Sequence, residues 1–335
     1  MTDLARPAAG ALVLSDILGL VGEKLKAVEE EVGRNLRSDI GVIDELGSYL
    51  ANGGGKRIRP LLLLLSAQAA GYRGERDVLL ASVFEFIHTA TLVHDDVIDG
   101  ASLRRGRSSL NATWGNSLTV LLGDYLYIKS MSMALTADDL RIIKILADIT
   151  LRMIEGELIQ SRRVGDLHVT AEEQLEIVRR KTAYLFSGCG HVAGVLAGAG
   201  PEREEALRNY GMNLGMSFQI VDDMLDFTAD EKTLGKPVAS DLREGKLTLP
   251  LIYLLERGDA AHLSKVRAVL EDRDFSRVGS AEIVALVREN GTLERTREIA
   301  RLYGERARRE LTGFPDSLAR RALECLPDLI LSRDR

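Results

Sequence analysis

The sequence predicts an all-α protein, a single-domain helical bundle, and three observations predict it. Apolar residues make up 45% of the 335, yet aromatics are only 5% and prolines number seven. The apolar content is therefore carried by Leu, Ala, Ile and Val in long segments, a composition that suits helices. Apolar positions recur at spacings of three and four along most of the chain, and no alternating stretch is long enough to argue for a strand.

In chain order, residues 1–12 read as a poorly structured tail. Ile17, Leu20, Val21, Leu25, Val28 and Val32 then follow the spacing of an amphipathic helix, with Glu, Lys and Arg opposite. Gly53-Gly54-Gly55 breaks the pattern, and Pro60 opens a helix running through Leu65 and Ala70. Further helices are expected near 76–100, 116–134, 138–162, 171–198, 202–228, 247–256, 259–271, 280–289 and 292–312, with a last one near 315–331. The joints are short and rich in Gly, Asp or Pro, except one longer polar joint from Ala229 to Glu244. The length permits two domains, but no linker supports a cut, so 1–335 reads as one domain without a fixed-period repeat.

Composition also excludes function classes. A formal net charge of −6, with no basic stripe bearing interleaved aromatics, gives no footprint for nucleic acid. Cys189 and Cys325 stand far apart without metal-ligand spacing and read as reduced thiols. Met1 to Gly10 lacks the form of a secretory signal, and the longest aliphatic run, Leu61 to Leu65, is far too short for a transmembrane segment. A soluble, cytoplasmic protein is expected, with contact at a membrane surface left open.

The chemistry is announced by two clusters of one form, Asp95-Asp96-Val97-Ile98-Asp99 and Asp222-Asp223-Met224-Leu225-Asp226. Residues four apart share a helix face, so Asp95 with Asp99, and Asp222 with Asp226, project together. A single such string usually marks a solvated face. Both copies, however, sit among apolar residues, Phe84, Ile87, Val93 and Val97 around the first and Phe218, Ile220, Val221 and Leu225 around the second. Carboxylates rarely enter such places uncompensated. Hard divalent cations, Mg²⁺ above all, accept carboxylate oxygens and complete their shell with substrate phosphates, so a metal-bridged diphosphate between two acidic helix faces fits. An EF-hand is excluded, because neither segment alternates oxygen ligands around a loop glycine.

Basic segments complement the acidic ones. Gly53-Gly54-Gly55-Lys56-Arg57-Ile58-Arg59-Pro60 combines glycines that let backbone N–H groups approach closely with three cations, as in a phosphate cradle. It is no Walker A loop, since no Ser or Thr follows Lys56. Arg104-Arg105-Gly106, Lys181-Thr182, Lys236 and Gly245-Lys246-Leu247-Thr248 repeat the theme. Each is weak alone, because lone cations are usually solvated. Together with two acidic sets they describe a cavity for two anions. Gln219, Asp222, Asp223 and Asp226 fall at i, i+3, i+4 and i+7 on one helical stripe, and His88, Thr91, Asp95 and Asp99 form another.

Here the residues resemble the trans-isoprenyl diphosphate synthases, in the long-chain, octaprenyl-like branch that supplies quinone side chains. GGGKRIRP, HDDVIDGASLRRG, KTAYLF, FQIVDDMLD and GKPVASDLREGKLTLP match in form and order, over about residues 15–325. The resemblance implies the isoprenoid synthase fold with its helices around a deep central cavity, a homodimer, and Mg²⁺, three ions per site with substrate bound. It implies metal ligation by Asp95, Asp99, Asp222 and Asp226, with Asp96 and Asp223 in support. Arg104, Lys181, Thr182, Gln219 and Lys236 would hold the allylic diphosphate, and Lys246 would be a further substrate-binding residue. Lys56, Arg59, His88 and Arg105 would hold isopentenyl diphosphate. The aspartates and Lys181 are the expected catalytic set, acting by Lewis-acid and electrostatic means.

Product length is read from the residues before the first cluster. Thr91 lies one turn before Asp95 with Ala90 beside it, and both are small, so this wall should let a chain pass deeper along Phe84, Ile87, Met131 and Ala134. A hexaprenyl to decaprenyl product is expected, octaprenyl as the single choice, with a farnesyl or geranylgeranyl product as the alternative. A class I terpene cyclase would usually carry a mixed Asn/Ser/Glu set in place of Asp222-Asp223-Asp226. A non-catalytic partner subunit should have lost ligands or cations. This chain keeps both.

Overall fold

The computed structural model describes residues 14–51, 55, 57–104, 107–228 and 238–334. Helices α1 (Leu14–Leu36), α2 (Gly41–Ala51), α3 (Ile58–Ala69) and α4 (Arg76–Ile98) lead to a two-stranded antiparallel hairpin, β1 (Leu103–Arg104) and β2 (Arg107–Ser108). Then come α5 (Leu110–Trp114), α6 (Asn116–Leu135), α7 (Leu140–Arg163) and α8 (Ala171–Val178), a π-helical turn (Arg179–Ala183), α9 (Tyr184–Leu196) and α10 (Pro201–Thr228). The remainder is α11 (Ser240–Arg243), α12 (Leu249–Leu255), α13 (Ala260–Asp272), α14 (Ser280–Glu289), α15 (Thr292–Glu310), α16 (Leu318–Leu331) and a 3₁₀ turn (Ser332–Asp334).

The all-α expectation holds, and local details differ from it, among them the short helix α5, which was not expected. α2 is short and carries Gly41 and Gly47, which weakened its periodic signal. The hairpin has two residues per strand, below the length at which alternation is visible. The segment expected as one helix from 171 to 198 contains the π turn, which leaves the spacing of apolar residues almost unchanged. Of the polar joint, residues 229–237 lie outside the described residues, and 240–243 form a helical turn.

α3 explains the centre of the bundle. Pro60 to Ala67 is buried without a polar face, and a helix apolar all round is stable only when surrounded, here by α1, α4, α9 and α16. Each fully buried Leu contributes roughly 1.5–3 kcal/mol relative to exposure. α4 is the one helix among the described residues long and apolar enough to cross a membrane, and most of its apolar stretch is buried in the core. Two hydrophobic clusters share α10: Leu207, Tyr210 and Leu214 belong to the larger, and Met224 and Phe227 to the smaller, with Leu251 and Ile283.

The crossing of α9 and α10 places the site. A Cβ added at Gly190 would strike the carbonyl of Leu207, one at Gly211 the carbonyl of Phe186, and one at Gly215 would lie 2.7 Å from Ala183 Cα. Small residues thus let the two backbones touch, which brings the π turn onto the middle of α10. Gly211→Ala should force this crossing apart and cost on the order of 1–3 kcal/mol. Urea unfolding measures it, and an unchanged midpoint would contradict so close a crossing.

Candidate active site

α4 and α10 carry the two aspartate clusters, and α7, the π turn and the α11–α12 segment carry the groups that face them. Lys246 stands between the clusters: its Nζ lies 2.8 Å from Asp99 Oδ1 and 2.9 Å from Glu244 Oε2. It also lines a cleft of about 130 Å³ shared with Lys181, Thr182, Gln219 and Asp223. Burial disfavours its charge, but Glu244 and Asp99 hold its pKa above the usual lysine value. A larger cleft, about 810 Å³, opens beside it over Asp99, Glu157, Gln160 and Ser240.

The π turn tips Lys181 and Thr182 towards different helices. Lys181 Nζ reaches Glu157 Oε2 and Gln160 Oε1 of α7, each at 2.6 Å. Thr182 Oγ1 donates to Gln219 Oε1 at 2.8 Å, and Gln219 Nε2 donates to Asp223 Oδ1 at 2.8 Å. Wide turns of this kind are frequent at functional sites. Here the turn is backed by Gly156 of α7, where a Cβ would meet Arg180 Cβ at 2.6 Å.

Each carboxylate has its own environment. Burial lifts Asp95 from the ordinary 3.8 to about 6, with Lys181 opposing and Glu157 and Asp99 adding to the lift. Asp96, 2% exposed, turns to the far side of α4, where Arg104 Nε pairs with it at 2.7 Å. Burial raises Asp96 while Arg104 opposes. Asp222 takes Arg333 at 3.2 Å, and that guanidinium also lies 4.7 Å over the Phe218 ring. Asp223 is pushed well above the carboxylate range by burial, and its Oδ2 is buried without a hydrogen-bond partner. Asp226, 1% exposed, accepts the Asp241 N–H at 3.0 Å.

Among the described residues no three His, Cys, Asp or Glu side chains converge closely enough to hold a metal alone. The donors still suit Mg²⁺, which prefers one or two carboxylates plus phosphate oxygens and water over an all-protein cage. The orphaned Asp223 Oδ2 is the clearest sign of a missing positive neighbour.

On the other side of α4, His88, Asp96 and Arg104 line a third cleft with Arg57 and Glu85. Arg59 points inward, its guanidinium 5.0 Å from the Phe186 ring and its buried Nε without a partner. Lys56, Arg105 and Lys236 lie outside the described residues. Of the wall positions, Phe84, Ile87, Ala90 and Ala134 are buried and Thr91 and Met131 partly so. Phe84 reaches over Gly188 of α9, whose added Cβ would come within 2.9 Å of its ring. Ala90 shares the helix face of His94, which lies against Gly123 of α6, whereas Thr91 shares the face of Asp95.

Sequence reasoning missed Glu157, Gln160, Glu85 and Arg333. The first two stand three apart on α7 and were readable as one face; Arg333 gave no local signal, because its meeting with Asp222 spans 111 positions.

Residues 41–287 match the family described as "Polyprenyl synthetase". The chain is 38% identical over 322 residues to the octaprenyl diphosphate synthase of Escherichia coli (strain K12), covering 96% of this chain and 99% of that one. A crystal structure of a polyprenyl synthase from Caulobacter crescentus CB15, complexed with calcium and isoprenyl diphosphate, superimposes with TM-score 0.92 at 34% identity, covering 98% of this chain and all of that one. A decaprenyl diphosphate synthase from Rhodobacter capsulatus gives TM-score 0.89 at 37% identity, covering 96% and 99%.

The lifted Asp95 has a consequence for stability. With its folded pKa about 6 against an ordinary 3.8, the folded chain takes up this proton before the unfolded chain does. Stability from this group therefore rises as pH falls from about 7 towards 4, and its charge is a burden at pH 7.5. Asp95→Asn should stabilise the metal-free protein at pH 7.5 by on the order of 1 kcal/mol or more, a gain that shrinks towards pH 5. Thermal unfolding of both proteins in EDTA checks this; an equal gain at both pH values would refute the origin in titration.

Proposed function

The chain belongs to the polyprenyl synthetase family and is a trans-prenyltransferase of the long-chain type, and from that premise we propose that it joins isopentenyl diphosphate to an allylic diphosphate at the clefts around α4 and α10. The observation that carries this reading is Lys246 standing between two aspartate clusters, paired with Asp99 and sharing a cleft with Asp223. Carboxylates and cations so interleaved suit a divalent metal and a diphosphate together better than either alone.

In this reading Asp95, Asp99, Asp222 and Asp226 hold Mg²⁺, with Asp96 and Asp223 in support. The metal supplies Lewis-acid stabilisation of the departing diphosphate. Lys181, Thr182, Gln219, Lys246 and Lys236 orient the allylic diphosphate, while Lys56, Arg59, His88 and Arg105 hold isopentenyl diphosphate. Arg104, assigned to the allylic group, opens on the His88 cleft and is paired with Asp96. The allylic C–O bond breaks, the double bond of isopentenyl diphosphate forms the new C–C bond, and a proton leaves to the released diphosphate. No side chain acts as a nucleophile. The residues contribute fixed charge where negative charge develops and apolar walls that exclude water from the allylic cation.

The proposed product is an all-trans octaprenyl diphosphate, suited to a quinone side chain, with Ala90 and Thr91 at the passage past the metals and Phe84, Ile87, Met131 and Ala134 along its walls. A cytoplasmic location and one working domain belong to the same proposal, supported by the burial of α4 and by α10 carrying residues of both hydrophobic clusters. The proposal includes a homodimer through α6 and α7. Leu121, Ile128 and Leu135 lie seven apart on α6 and are 62%, 63% and 57% exposed, while Leu151, Ile154 and Leu158 stand exposed on the adjacent α7. Apolar stripes on two neighbouring helices are an interaction surface.

Incubating the purified chain with labelled isopentenyl diphosphate, an allylic primer and Mg²⁺, then sizing the products, tests the function. An octaprenyl product is expected. Asp95→Ala and Asp222→Ala should each lower kcat by on the order of 10²-fold or more while remaining folded. Ala90→Phe should shorten the product with primer still consumed. Release of only farnesyl or geranylgeranyl diphosphate by the wild type, or an unchanged length in Ala90→Phe, would refute the tunnel. For the dimer, Ile128→Glu should elute as a monomer with light scattering to match; a retained dimer would move the interface elsewhere.

A further inference from the structure

Arg57 caps the N-terminus of α3 in a left-handed conformation, φ 47° and ψ 36°, which disfavours any residue with a Cβ. The surrounding structure holds it there. Its guanidinium reaches Glu29 of α1, with Nη2 to Oε2 at 2.8 Å, and pairs through Nη1 with Glu85 of α4. Its carbonyl accepts the Leu61 N–H at 2.9 Å, closing the first turn of α3. Glu85 is only 6% exposed, so its carboxylate sits where an unpaired charge is costly.

The same turn sends a second guanidinium the opposite way. Arg59, two residues on, enters the core with its Nε buried and lacking a partner. Burial lowers its pKa, and the charge of Glu85 is the largest influence opposing that. On α4, Glu85 precedes His88 by three residues, and both line the cleft that Arg57 also lines. One buried carboxylate therefore ties the start of α3 to the segment of α4 that carries His88.

We propose that the Arg57–Glu85 ion pair, braced by Glu29, is a positioning device for the isopentenyl diphosphate site, fixing Arg59 relative to His88 without touching substrate. The inference rests on the reading above that Arg59 and His88 bind that diphosphate. A pair serving stability alone would move both substrates' kinetics together or neither.

Steady-state kinetics on the full-length chain with Mg²⁺ separate these cases, varying each substrate while the other saturates. Arg57→Gly keeps a residue at ease with positive φ but removes the pair; Glu85→Gln keeps the shape but removes the charge. Both should raise KM for isopentenyl diphosphate roughly tenfold and leave KM for the allylic primer within about twofold. Arg57→Lys should recover part of the loss, because an ammonium still pairs with Glu85 as a point charge. If Glu85→Gln does not fold, Arg57→Gly decides. An unchanged KM for isopentenyl diphosphate in Arg57→Gly, or equal rises for both substrates, overturns the proposal. Arg59→Ala tests the underlying reading separately. If it raises KM for isopentenyl diphosphate while Arg57→Gly does not, only the positioning device fails. If it does not, the site assignment fails and the proposal falls with it.

Discussion

Placing many carboxylates on two neighbouring helices, several of them buried, is the constraint from which the rest of the site follows. The six clustered aspartates stand on α4, at its C-cap and on α10, and each that enters the interior needs positive charge or donors to offset lost hydration. The metal-free protein supplies them one by one: Arg104 at Asp96, Lys246 at Asp99, Arg333 at Asp222, Gln219 at Asp223 and a backbone N–H at Asp226. Asp223 is compensated least, with one buried oxygen left without a partner, while burial also lifts Asp95 against the opposing charge of Lys181. Two of these cations, Arg104 and Lys246, are also the ones proposed to meet phosphate oxygens.

Such an arrangement demands backbone precision, and the packing provides it with small residues. The glycines of α9 and α10 let those helices touch, so the π turn preceding α9 meets α10 at Gln219. The turn then splits consecutive side chains between partners: Lys181 goes to α7 and Thr182 to α10. A regular helix would leave them about 100° apart on one rod; the widened turn, backed by Gly156, lets each reach a different wall.

Much of this was legible from residues in sequence order. The aspartate spacings, the Gln219 stripe and the cation-rich segments define their own helix faces, because local periodicity fixes which side chains share a face. What stayed hidden depends on contacts between distant segments. Nothing near Arg57 announces that Glu29 and Glu85 will close on it, and nothing near Arg333 announces Asp222. The π turn was invisible because one extra residue in a helical run barely alters apolar spacing. His88 shows the limit of face arguments: it shares a stripe with Asp95 by spacing, yet it lines the cleft of Asp96 and Arg104, since a residue near the edge of a helix face can serve either side.

The central claim is that neither aspartate cluster is a finished metal site and that metal and diphosphate complete it together, in keeping with the lack of any three converging ligands among the described residues. Calorimetric titration of Mg²⁺ into the wild-type chain, with and without a non-hydrolysable allylic diphosphate analogue, tests this most directly. The account predicts weak binding of Mg²⁺ alone and tight, mutually dependent binding when the analogue is present. Tight, stoichiometric Mg²⁺ binding without any diphosphate would contradict it.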